Sequence, residues 1–213
     1  MSVPKAIGII PPRWPRRITH LRYNAHMSDD AIKWNERYLT NNEPSYQRPR
    51  EFLIEQAAHL PASGLALDVA MGLGGNAGFL IERGLRVVGL DVSEVGARRA
   101  KARYPELMAA VFDLTRFNLP PAAFDVLLNF YFLQRDLWPL YRRVIRSGGV
   151  LIMETLMIDN LSLRPDYNPD FLLQPDELRC AFADWELIVY REGWVDRGGR
   201  WPRAVASLVA RKP

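Results

Sequence analysis

Apolar positions along this chain fall into two alternating patterns, short continuous runs and longer stretches with helical spacing. The runs at 65–69, 87–91, 107–112, 124–130 and 150–155 have strand length and predict five buried strands. Helices are expected at 31–39, 51–60, 77–83, 93–103 and 133–146. Pro61 breaks the second of these, Ser93 can cap the fourth, and Pro105 ends it. The fifth carries Leu133, Leu137, Leu140, Tyr141, Val144 and Ile145 at helical spacing. Arg142, Arg143 and Arg146 favour the dipole near its end, and Gly148-Gly149 stops it. Such alternation predicts an α/β fold, a mainly parallel sheet with helices on both faces. Runs at 185–191 and 204–210 are separated by Gly193, Gly198, Gly199 and Pro202 without a helix, which is a hairpin signal. Cys180 lies in a helix-like stretch, 177–182, and is expected to be a small packed residue.

Composition narrows the class. A chain of 213 residues suits one domain, and 48% hydrophobic with 24% charged residues is ordinary for a soluble globule. No apolar run approaches the roughly 18 residues of a membrane span. The single cysteine cannot form an internal disulfide, which fits a reducing cytoplasm. The net charge of +4 is unevenly placed: Lys5, Arg13, Arg16, Arg17 and Arg22 stand in residues 1–28 without an acid. The body is therefore nearly neutral, and no nucleic acid partner is expected. With Pro4, Pro11, Pro12 and Pro15, residues 1–28 read as a flexible basic extension, and 29–213 as the domain. His20, His26 and His59 form no metal pattern, and nothing in the sequence specifies an oligomeric state.

The chemistry concentrates where the first run meets a glycine-rich turn, Asp68-Val69-Ala70-Met71-Gly72-Leu73-Gly74-Gly75-Asn76. A helix-compatible segment follows, and the next run closes on Asp91, nineteen residues after Gly72. Glycines admit a ligand to the backbone, a helix N-terminus offers N–H groups, and a strand-end carboxylate can accept from ribose hydroxyls. Gly72-x-Gly74-x-x-Ala77 also satisfies a loose dinucleotide fingerprint, so a nicotinamide cofactor is one reading. Asp68, however, lies inside the strand, where burial is costly without a cation. S-adenosylmethionine offers an ammonium as well as a ribose, so one ligand can use both Asp68 and Asp91.

These pieces, with Trp34-Asn35-Glu36-Arg37-Tyr38, Phe124-Asp125-Val126-Leu127-Leu128-Asn129-Phe130-Tyr131 and Ser147-Gly148-Gly149-Val150-Leu151-Ile152-Met153-Glu154, resemble the class I S-adenosylmethionine-dependent methyltransferases. Within them the chain looks most like the small tellurite-resistance and thiopurine-type branch. Met71 departs from the small residue or cysteine more usual there. The resemblance implies a Rossmann-like, seven-stranded sheet whose final strand runs antiparallel beside the fifth. It implies S-adenosylmethionine as cofactor, with Asp68 near the ammonium, Gly72 and Gly74 against the methionine portion, Asp91 on the ribose, and Asn76 among the cofactor-binding residues. Asp113 would face the adenine, with Val92 and Leu114 against the ring. Asn129 and Phe130 would lie under the sulfonium, and Trp34 and Tyr38 would form a lid.

The acceptor is expected to be a small molecule, a thiol or chalcogen oxyanion being the branch-level suggestion. Soft anions of that kind need no general base. Candidate catalytic or acceptor residues are Arg135, Tyr131 and Glu154, with Arg135 suited to attract an anion. Two other readings stay open. A dehydrogenase using NAD(P) would need a second phosphate site or a Tyr-x-x-x-Lys pair, and a noncatalytic module would bind S-adenosylmethionine without turnover.

Overall fold

The computed structural model describes residues 28–40, 46–115, 119–196 and 202–213. The expected basic extension, apart from Ser28, and Gly198 and Gly199 of the hairpin connection lie outside the described residues. Seven strands, β1 (Gly64–Val69), β2 (Leu85–Asp91), β3 (Met108–Val111), β4 (Phe124–Phe130), β5 (Ile145–Leu156), β6 (Glu186–Val195) and β7 (Arg203–Arg211), form one sheet. Its order is β3-β2-β1-β4-β5-β7-β6. The first five strands are parallel, while β7 is antiparallel to both β5 and β6. This is the Rossmann-like α/β sheet expected, with β7 beside β5.

The helices are α1 (Asp29–Thr40), α2 (Glu51–Glu55), α3 (Gly75–Glu82), α4 (Glu94–Arg103), α5 (Trp138–Val144) and α6 (Glu177–Ala181). Strand alternation splits the core in two. Leu65, Leu67 and Val69 of β1 join Leu127, Tyr141, Val144 and Leu208 on one face. Ala66 joins Phe52, Ala77, Leu80, Leu128 and Val209 on the other. Each fully buried Leu or Val contributes roughly 1.5–3 kcal/mol.

Three expectations are corrected. The helix expected at 133–146 is a 3-10 turn at Arg135–Leu137 followed by a short α5, and Ile145 already pairs with Phe124. Ile145 is drawn into the sheet, and Lys212 caps the helix end, its Nζ donating to the carbonyls of Arg142 and Ile145 at 2.6 and 2.7 Å. The second helix ends at Glu55, with a 3-10 turn at Ala57–His59 in place of its last part. Cys180 is exposed rather than packed, because Leu178 is the residue α6 turns inward.

Candidate functional site

The C-terminal ends of β1, β2 and β4 converge on the glycine turn, where open α/β sheets place their ligands. Gly72 and Gly74 both take positive φ, 55° and 77°, a region closed to most side chains. A Cβ on Gly72 would stand 2.8 Å from the Tyr38 hydroxyl, and Gly74 serves as the left-handed N-cap of α3. The missing side chains let Tyr38 and Ala100 pack directly against the turn backbone.

Two carboxylates flank this turn in different environments. Asp91 is 4% exposed, yet it accepts N–H groups from Gly72 at 2.7 Å and Ser93 at 2.8 Å. Burial pushes its pKa up to about 6, opposed by these donors and by the Val92 N–H. Asp68 is 1% exposed, and its Oδ2 has no hydrogen-bond partner. Burial, then the charge of Asp91, pushes it up to about 8, against a hydrogen bond from the Ala77 N–H and the pull of Arg50. An orphaned carboxylate oxygen beside a glycine turn is complementary to a ligand cation. Asp68 and Asp91 thus fit an ammonium and a ribose.

Helix α1 covers the turn. Asn35 Oδ1 accepts from Ser93 Oγ at 2.7 Å and the Val95 N–H at 3.1 Å, and Arg99 donates to the Tyr38 carbonyl. Tyr38 is buried against Gly72 and Gly96. Trp34 packs on Tyr38 with ring centroids 5.5 Å apart, and the Arg37 guanidinium lies 5.3 Å from the Trp34 ring centroid. Tyr38 is thus the aromatic residue of α1 that touches the turn directly.

Other expected residues sort by where strand alternation sends them. Val92 is half-buried at the end of β2. Asp113 closes a turn, one oxygen accepting from the N–H and hydroxyl of Thr115, and Leu114 packs into the core at 5% exposure. Asn76 Oδ1 accepts the Arg50 N–H at 2.9 Å, so it positions the segment before α2. Phe130 lies on the Asp68 face of the sheet, while the Asn129 amide nitrogen donates to Tyr141 Oη at 2.8 Å on the opposite face and its buried Oδ1 has no hydrogen-bond partner. Arg135 is engaged within the chain. Its guanidinium grips both Glu177 oxygens and the carbonyls of Asp170 and Leu172, tying down the segment after β5.

At the end of β4, Tyr131 donates to Glu154 Oε1 at 3.1 Å, and Ser207 donates to Glu154 Oε2 at 2.8 Å. Glu154 is fully buried, so the Tyr131 hydroxyl is its link toward the cleft. Burial, then Glu154, pushes the Tyr131 phenol up to about 12. Sequence reading missed Arg50, Asn35, Arg203 and Ser207. Arg50 left a signal: it is the N-cap of α2 without a capping bond, a place where a cation opposes the helix dipole. Ser207 and Arg203 lie far along the chain from Tyr131 and Glu154, and strand pairing brings Ser207 against Glu154. No group of His, Cys, Asp and Glu fit for a metal occurs among the described residues.

Residues 66–149 match a family described as a methyltransferase domain. Over 114 residues the chain is 32% identical to a probable S-adenosylmethionine-dependent methyltransferase of Mycolicibacterium smegmatis, covering 51% of this chain and 44% of that protein. Over 136 residues it is 31% identical to trans-aconitate 2-methyltransferase of Methylobacterium radiotolerans, covering 61% and 51%. The chain thus spans about half the length of the curated relatives it matches. TehB from Haemophilus influenzae superimposes with a TM-score of 0.64 at 19% identity, covering 86% of this chain and 67% of that one. A Methanosarcina mazei protein of the S-adenosylmethionine-dependent methyltransferases gives 0.63 at 16%, covering 73% and 95%. Sheet order and glycine turn agree with the methyltransferase-domain match over residues 66–149 and with the fold of these solved structures.

Proposed function

We propose that this protein transfers a methyl group from S-adenosylmethionine to a small-molecule acceptor, with residues 29–213 as the functional domain. The observation that carries this reading is the buried Asp68 carboxylate, whose Oδ2 lacks a partner beside the glycine turn while Asp91 stands at the end of the next strand. Asp68 would hold the ammonium, Gly72 and Gly74 the methionine backbone, and Asp91 the ribose. Val92 and Asp113 would border the adenine, with Phe130 and Tyr38 shielding the reacting end. When bound, the cofactor supplies an electrophilic methyl on a sulfonium. The protein's task is to hold the acceptor lone pair in line with that methyl and to exclude water.

A small acceptor is supported by the relative named for trans-aconitate. Tyr131, hydrogen-bonded to buried Glu154, is the hydroxyl best placed to take part in proton movement. A thiol or chalcogen oxyanion would not need it. No helix among the described residues is long and apolar enough to cross a membrane, and the reading places the protein in the cytoplasm.

Calorimetric titration with S-adenosylhomocysteine and NADH tests the cofactor assignment. Binding of the first without the second is expected, and the reverse would replace the reading with a dehydrogenase. Formation of S-adenosylhomocysteine across thiols, oxyanions, carboxylates and phenols is then expected for at least one class. Binding without turnover on the whole panel would make the domain a noncatalytic module.

A further inference from the structure

Tyr131 is the residue at which the parallel sheet ends and the cleft begins, and its backbone is strained. Its φ is 56°, a left-handed conformation that a bulky side chain seldom adopts and that the surroundings must impose. Two contacts to one residue impose it: the Tyr131 N–H donates to the Glu154 carbonyl at 2.8 Å, and its hydroxyl to the Glu154 carboxylate. The ring is thereby fixed against β5.

Over that fixed ring stand two guanidinium groups from distant parts of the chain. Arg50 Cζ lies 4.8 Å from the ring centroid and Arg203 Cζ 5.5 Å. Among the described residues neither makes an ion pair within 4 Å, although other arginines here have carboxylate partners. Gathering two cations on one aromatic ring is only partly offset by the ring quadrupole. Arg50 is half-buried and its charge is felt at Asp68, which links this position to the glycine turn.

A cleft of about 380 Å³ lies between α2 and the β6–β7 edge, lined by Glu51, Glu55, Glu192, Asp196, Val205 and Ser207 among others; Arg50 precedes Glu51 and Arg203 lies near Val205 along the chain, without lining the cleft themselves. Ser207 connects it to Glu154 and Tyr131. The cleft also presents acidic side chains, but they are engaged. Glu55 pairs with Arg191, Glu192 accepts from Tyr190 and the Asp176 N–H, and Glu51 and Asp196 have partners too. Arg50 and Arg203 themselves form no ion pair among the described residues, so on the Tyr131 ring they remain open to a ligand anion.

We infer that Arg50 and Arg203, set on the Tyr131 ring, form an anion-recognition subsite, and that the methyl acceptor is a small molecule carrying a carboxylate or phosphate group. The planar fork of arginine matches either group by paired hydrogen bonds. A cleft of this size admits a small metabolite rather than a folded partner. The inference deepens the methyltransferase reading and rests on it for the word acceptor.

The test uses the full chain and calorimetric titration with succinate, tricarballylate and glycerol 3-phosphate, with the uncharged succinamide as control, in the presence and absence of S-adenosylhomocysteine. Charged probes are expected to bind and succinamide to fail. Tighter binding of the carboxylates or of the phosphate identifies which group the subsite takes. Arg203→Gln and Arg50→Gln should each weaken the charged probe by about tenfold or more while melting like the parent, with Arg→Lys intermediate. S-adenosylhomocysteine affinity should be unchanged in Arg203→Gln, while Arg50→Gln should lose far less of it than of the anion, through the charge it removes from Asp68. Equal binding of succinamide, or variants that bind the charged probes as the parent does, would overturn the subsite. So would Arg50→Gln weakening S-adenosylhomocysteine in step with the anion, since Arg50 would then serve the cofactor's own carboxylate. Failure of the parent to bind S-adenosylhomocysteine would instead remove the methyltransferase reading, and the titrations without it would still report on the two arginines.

Discussion

Asp68 and Asp91 are the same residue type, both sealed from water, and their hydrogen bonds set them apart. Asp91 is held toward its ionised form by three backbone N–H groups, whereas Asp68 has one such donor and an orphan oxygen. A ligand ammonium would favour ionised Asp68, so the complex carries fewer protons there than the free protein. Affinity for S-adenosylhomocysteine is therefore expected to rise with pH toward about 8 and level off above it. Asp68→Asn should weaken binding and flatten that slope in calorimetric titrations. The same shift acts on stability with the opposite outcome. The folded pKa lies above the unfolded one, so stability associated with this group is present at low pH and lost as pH rises toward 8. Cofactor-free Asp68→Asn should consequently melt higher than the parent at pH 8, by on the order of 1 kcal/mol or about 2–4 °C, the gap narrowing toward pH 5. Asp68 was legible in the sequence because a charge inside an apolar run is conspicuous. Arg50 and Arg203 were not, since surface-type residues acquire meaning only from what they stand over.

Elements were legible where their ends are encoded locally. Ser93 accepts the Gly96 N–H at 3.0 Å and begins α4 where expected, because an N-cap is a contact across three residues. Helix α5 was read too long because Val144 and Ile145 suit a helix face and a strand equally, and Ile145 is drawn into the sheet while Lys212 caps the helix end. The docking of α1 is likewise nonlocal, and it rests on Asn35 bridging Ser93 and Val95. Removing that bridge by Asn35→Ala leaves two donors short of an acceptor. A loss of about 1–3 kcal/mol in urea unfolding is expected. Trp34 fluorescence should become more accessible to iodide, and S-adenosylhomocysteine should restore part of the protection. Unchanged quenching would mean that α1 is held by its apolar contacts alone.

At the scale of the molecule, the last strand in sequence lies inside the sheet, between β5 and β6. It supplies Ser207 to Glu154 and Leu208 to the face that holds Tyr141. Both the candidate acceptor end and the lower core are thus incomplete until the C-terminal segment pairs. Leu208→Ala is expected to cost about 2–5 kcal/mol in urea unfolding. A surface-like cost below about 0.5 kcal/mol would show that β7 is not an integral strand.

The sequence by itself determined the alternating strands and helices, the glycine turn and the two carboxylates that bracket it. Apolar period, glycine tolerance and capping act over a few residues and can be read in order along the chain. The tertiary structure alone decided that Asn129 turns away to Tyr141, that Arg135 is spent on Glu177, and that Tyr131 is braced by Glu154 beneath Arg50 and Arg203. Those outcomes depend on strand register and on side chains twelve or more residues apart, and no local pattern carries that information.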